Sequence, residues 1–70
     1  VGFDWNDAQG ALDKIREETD ELTEAGNRAE VTEELGDLLF SVVNAARFLK
    51  VDPEDALNMA TKKRHITTFR

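Results

Sequence analysis

The chain of seventy residues reads as an all-α domain, a helical hairpin followed by a third helix that together build a four-helix-bundle-like assembly when copies associate. Three observations predict this. Polar positions recur at helical spacing with no sustained period-two alternation. Only one proline and four glycines interrupt the chain. Cap-forming residues stand where each apolar stripe begins.

The opening V-G-F-D-W is short, aromatic and irregular, and Asn6 is placed to cap a first helix, with Gln9 three residues later as in a capping box. That helix is expected to run to about Ala25, with Gly26 as a left-handed stop. Asn27 with Glu30 repeats the cap pattern for a second helix reaching about Lys50. Asp52 then caps a third helix with Pro53 at its first position, a place where the missing N–H costs nothing. One domain over residues 1–70 accounts for the whole sequence.

Composition narrows the chemistry. Nine basic and fifteen acidic side chains give a formal charge of -6 and a sequence pI near 4.6, a balance that repels a nucleic-acid duplex. The absence of cysteine excludes disulfide staples and thiolate metal sites. No apolar run approaches the roughly 20 residues of a membrane span, and the expectation is a soluble, cytoplasmic protein. The di-iron carboxylate pattern needs Glu-x-x-His on two helices, whereas the single histidine, His65, stands near the C-terminus and is expected at the surface. No nucleophile elbow, Cys/His pair or phosphate-binding glycine loop is present.

The acidic residues are more informative. E-E-T-D-E at 17–21 and E-E-L-G-D at 33–37 concentrate charge beside positions that must be buried. At about 100° per residue, Ala8, Leu12, Ile15, Thr19 and Leu22 form the expected core stripe of the first helix. Lys14, Glu18 and Glu21 line one border of it, and Asp20 points away. On the second helix, Val31, Leu35, Leu38, Leu39, Val42, Val43, Ala45, Ala46 and Leu49 make a wide apolar face bordered by Glu34, Asp37, Ser41 and Asn44. Antiparallel packing across the short loop allows Glu18, Glu21, Glu34 and Asp37 to converge. Such a cluster is costly unless protonated or bound to a cation. Mg²⁺ suits it, being held by a few carboxylates together with substrate phosphates. The alternative is a solvated acidic face, with Lys14 paired to Glu18 at i, i+4.

V-G-F-D-W, K-I-R-E-E-T-D-E from Lys14 to Glu21, and E-E-L-G-D-L-L-F-S-V-V-N-A-A-R from Glu33 to Arg47 together resemble the MazG family of all-α nucleoside triphosphate pyrophosphohydrolases. The resemblance implies Mg²⁺-dependent cleavage of nucleoside triphosphates to the monophosphate and pyrophosphate. It also implies metal ligation by Glu18, Glu21, Glu34 and Asp37, with Glu17 or Glu33 orienting or deprotonating the attacking water. Lys14 and Lys63 match phosphate-contacting lysines; Asn44, on the border of the second helix, is a nucleotide-binding candidate whose alternative is a capping or core hydrogen-bonding role. Trp5 is expected either to stack on the base or to plug the end of the bundle. Two departures from the family pattern stand out: the helix that the family has ahead of V-G-F-D-W is not within these seventy residues, so the domain is expected to be truncated or to borrow packing from a partner, and Lys63 is followed by Arg64 and His65 where the family has phenylalanine and basic residues. Phe40 and Arg47 lie opposite the core border and suggest a subunit contact, giving a homodimer or a dimer of dimers. The competing class is a noncatalytic helical module that mediates assembly.

Overall fold

The computed structural model of the chain describes residues 2–64, and His65 with the rest of the C-terminal segment lies outside them. Three helices, α1 (Trp5–Thr23), α2 (Arg28–Leu49) and α3 (Pro53–Arg64), account for nearly all of the described residues, which contain no strand. The all-α expectation holds.

Helix α1 starts two residues earlier than predicted. Asp4, not Asn6, is the cap: its carboxylate accepts the Asn6 N–H at 2.9 Å, and its carbonyl accepts the Ala8 N–H. Both residues are good caps, and the choice places Trp5 in the first turn, edge-on to Phe3 with ring centroids 4.7 Å apart. The far end also departs from expectation. The Glu24 and Ala25 N–H groups bond back to Glu21 and Leu22, tightening the last turn, so the helix closes at Thr23 and Gly26 does not adopt a left-handed conformation. The Gly26 N–H instead donates to Glu30 Oε1 at 2.7 Å while Asn27 Oδ1 accepts the Glu30 N–H at 2.9 Å, the predicted cap of α2.

The left-handed residue stands at the end of α2. Lys50 has φ 61° and ψ 40°, with its N–H bonded to the Arg47 carbonyl and the Val51 N–H to the Ala46 carbonyl, which is the Schellman arrangement. Asp52 Oδ1 then accepts the Glu54 and Asp55 N–H groups and launches α3, as predicted.

α1 and α2 pack along their length, whereas α3 makes at most marginal contact with either. Apart from Glu18, the buried side chains are small, Ala8 and Ala11 on α1 and Ser41 and Ala45 on α2, which lets the helices approach closely. Thr19, expected in the core stripe, is exposed, and its hydroxyl donates to the Ile15 carbonyl. Leu12, Ile15 and Leu22 are half-buried because α2 covers only the side of α1 carrying Ala8, Ala11 and Glu18. Likewise Val31, Leu35, Leu39, Val42 and Val43 remain exposed, Leu39 by 59% and the neighbouring Phe40 by 72%. The dimensions agree: the chain is 12 Å thick, and its radius of gyration of 14.1 Å exceeds the roughly 11 Å of a globular domain this long. A single layer of helices leaves half of a core uncovered.

Candidate metal centre

The hairpin determines which acids meet. Glu18 lies five residues before the end of α1 and Glu34 six residues after the start of α2, so antiparallel packing sets them side by side near the connection. Glu18, Glu21 and Glu34 each offer a carboxylate oxygen within 4.8 Å of the others. Opposite ligands of an octahedral Mg²⁺ lie about 4.2 Å apart, twice its bond length, so a small inward shift of the side chains would bring these oxygens onto one divalent ion.

Burial makes the cluster more than a surface charge patch. Glu18 is only 6% exposed, and Glu18 Oε1 and Glu34 Oε1 are buried without a hydrogen-bond partner. A buried carboxylate oxygen with no donor is unfavourable by itself, and a cation bound by both residues would supply the missing partner. The Glu34 carboxyl is correspondingly pushed above its ordinary value, by burial first and then by the charges of Glu21, Asp37, Glu18 and Glu33. An all-oxygen, anionic donor set with unsatisfied inner atoms fits a hard cation. The cluster can bind a metal.

Lys14 supplies the nearest positive charge. Its ammonium lies 3.2 Å from Glu18 Oε2 and 3.3 Å from Glu17 Oε1, and these hydrogen bonds, Glu18's first, raise its pKa above the ordinary lysine value. Glu17 is thus tied to Lys14 on the exposed rim. Asp37 follows Glu34 by one turn and contributes to its field, but stands outside the three-oxygen group, as does exposed Glu33.

The remaining candidates are not gathered there. Thirteen residues of helical rise, about 20 Å, separate Trp5 from Glu18, and ten residues, about 15 Å, separate half-buried Asn44 from Glu34. Lys63 lies near the end of α3, which makes at most marginal contact with the hairpin. Ser41, named in the sequence only as a border residue, is 6% exposed and packs in the hairpin interface. A shallow hollow of about 280 Å³ lined by Asp4, Asp7, Arg47, Phe48 and Lys50 sits at the opposite end of the hairpin, where charges of both signs offer no preference for a polyphosphate.

Comparison with known proteins gives a consistent picture. The MazG nucleotide pyrophosphohydrolase domain matches residues 7–67. Over 63 residues, 90% of the chain, it is 60% identical to the nucleoside triphosphate pyrophosphohydrolase/pyrophosphatase MazG of Thermotoga maritima. It is 43% identical over 68 residues to the nucleoside triphosphate pyrophosphohydrolase of Escherichia coli, again across 90% of the chain. These alignments cover 25% and 26% of the two relatives, so the chain spans about a quarter of their length. A Bacillus subtilis protein, YabN, is 46% identical over 41 residues, which is 59% of the chain and 8% of that relative. No solved structure matches significantly.

Proposed function

The chain belongs to the MazG nucleotide pyrophosphohydrolase family, and from that premise we propose that it hydrolyses nucleoside triphosphates between the α and β phosphates, using Mg²⁺ held by its acidic cluster. Water adds across the phosphoanhydride, releasing a nucleoside monophosphate and pyrophosphate. The observation that carries this reading is the pair of buried, unpartnered oxygens on Glu18 and Glu34 beside Glu21.

Glu18, Glu21 and Glu34 hold the ion, and Asp37, one turn beyond Glu34, closes the set. When bound, the ion neutralises phosphate charge and makes water a competent nucleophile near neutral pH. The protein residues do the positioning. An ammonium has three donor protons, and Lys14 commits two to Glu17 and Glu18, leaving the third to point at a phosphoryl oxygen. Glu17 and Glu33, exposed beside the cluster, are the groups available to accept a proton from the attacking water. Trp5, Asn44 and Lys63 are the candidates for the nucleotide, Lys63 by family resemblance and Trp5 by the capacity of its indole to stack on a base. Because they lie away from the cluster within one chain, that role calls for a second copy or a movement of α3.

A homodimer, or a dimer of dimers, is part of the proposal. The exposed arc of Val31, Leu35, Leu39 and Val42 is continuous with the side of α2 that packs on α1, and no large side chain among the described residues is fully buried. Covering that arc with a second hairpin completes a four-helix bundle over residues 1–70 as one domain. A nucleoside triphosphate substrate makes the cytoplasm the proposed location; among the described residues no helix is long and apolar enough to cross a membrane.

The test is a pyrophosphate-release screen over ribo- and deoxynucleoside triphosphates, with Mg²⁺ and with EDTA. Release that requires Mg²⁺ and falls sharply in Asp37→Asn supports the assignment. No release from any nucleotide would defeat the enzyme reading and leave a helical assembly module.

A further inference from the structure

The two oxygens of Glu18 are in different situations. Oε2 accepts the Lys14 ammonium at 3.2 Å, while Oε1 is buried with no partner and belongs to the residue that meets Glu21 and Glu34. Lys14 in turn is steadied by Glu17 at 3.3 Å, and its side chain is 53% exposed against 8% for Glu18. One face of the buried carboxylate is therefore occupied by a protein donor, and one oxygen is left to an ion.

The geometry points to Lys14 as the residue that sets ion selectivity, by keeping Glu18 a one-oxygen ligand. This rests on the reading of the cluster as a metal centre. Mg²⁺ requires near-octahedral ligands at 2.0–2.1 Å, each carboxylate giving one oxygen, whereas the larger Ca²⁺ takes 6–8 oxygens and accepts both oxygens of one carboxylate. A lysine clamped on Oε2 blocks the two-oxygen mode without touching the ion. It also fixes the rotation of the carboxylate, as hydrogen-bonded outer partners do for metal ligands generally. Two functions of one ammonium are compatible, since its third proton remains for phosphate.

Charge and orientation make separable contributions. Replacing Lys14 by a neutral side chain removes repulsion toward any divalent ion, which strengthens Mg²⁺ and Ca²⁺ alike. Freeing Oε2 favours Ca²⁺ alone. The ratio of the two affinities isolates the positioning role, and a purely structural or electrostatic role does not move it.

The experiment is calorimetric titration of the nucleotide-free chain with Mg²⁺ and separately with Ca²⁺, for wild type, Lys14→Met and Lys14→Arg, with helicity checked by circular dichroism. Lys14→Met should raise the Ca²⁺-to-Mg²⁺ affinity ratio by about tenfold, in the range typical of lost outer-shell partners. Lys14→Arg, which keeps a donor on Oε2, should hold the wild-type ratio. Should Lys14→Met fail to fold, Lys14→Leu, which likewise has no donor for Oε2, carries the same expectation. An unchanged ratio with both ions still bound overturns the inference and leaves the metal centre standing, and so does loss of both ions from a helical variant. Failure of the wild type to bind either ion overturns the metal reading and this inference together.

Discussion

Removing the buried carboxylate should stabilise the metal-free chain, and Glu18→Met is the perturbation that shows it. Glu18 is 6% exposed, its Oε1 has no partner, and Oε2 holds only Lys14. Leaving a buried polar atom unsatisfied costs about 1–3 kcal/mol. The Lys14 pair, half in solvent, returns a few tenths of a kcal/mol at most. Methionine matches glutamate closely in helix propensity and length, so the helix itself should tolerate the exchange. The net expectation in EDTA is a gain of about 1–2 kcal/mol, and each kcal/mol raises Tm by about 4–8 °C for a domain of this size. Mg²⁺ should reverse the order. At an ion concentration about one hundred times Kd the wild type gains about 2.7 kcal/mol while the variant, lacking a ligand, gains little. The assay is thermal unfolding by circular dichroism at one fixed protein concentration, in EDTA and in Mg²⁺. A variant that is less stable than wild type in EDTA would refute the reasoning, as would one with an undiminished Mg²⁺ response.

Three further outcomes follow from the same geometry. Lys50→Gly should raise stability by about 1 kcal/mol, because a non-glycine residue in the left-handed region costs about 1–2 kcal/mol, part of it returned as glycine's extra chain entropy; denaturant unfolding measures it, and a loss would contradict the Schellman assignment. Leu39→Asp should weaken self-association by about tenfold or more, since burying a leucine contributes about 1.5–3 kcal/mol, and sedimentation velocity identical to wild type would argue against the α2 arc as an interface. The raised pKa of Glu34 means that the folded chain binds that proton more tightly than the unfolded chain, so the associated stability is present below the ordinary value of 4.5 and is lost as pH rises through the raised value. Melting temperatures of Glu34→Gln and wild type in EDTA should therefore diverge in the variant's favour as pH rises above the ordinary value of 4.5, and a constant difference would contradict the placement of Glu34.

Helix identity and the acidic half-sites were legible because they depend on local pattern. Asn27 with Glu30 and Asp52 with Pro53 are caps whose partners lie within three residues, so spacing alone identifies them. The helical wheel likewise put Glu18, Glu21 and Glu34 on facing borders, and three of the four proposed ligands do converge. Where local signals compete, they mislead. Asp4 and Asn6 are equally able caps, and Gly26 is not needed as a left-handed residue because the last turn of α1 closes with shorter-range bonds. Lys50 takes that conformation with no glycine or asparagine to advertise it. The exposure of Thr19 and of the α2 arc depends on which neighbours are present, a tertiary property no single-helix period reports. The division of labour between the two oxygens of Glu18 lies further beyond sequence, because i, i+4 spacing permits the Lys14 pair but does not say which oxygen it takes.

The central claim is that this acidic cluster supports cleavage between the α and β phosphates. Phosphorus NMR of a nucleoside triphosphate incubated with the chain and Mg²⁺ tests it most directly, because the products report which bond broke. Equal amounts of monophosphate and pyrophosphate are expected, arrested by EDTA and by Glu21→Gln. Diphosphate with inorganic phosphate, or pyrophosphate formation unaffected by Glu21→Gln, would contradict it.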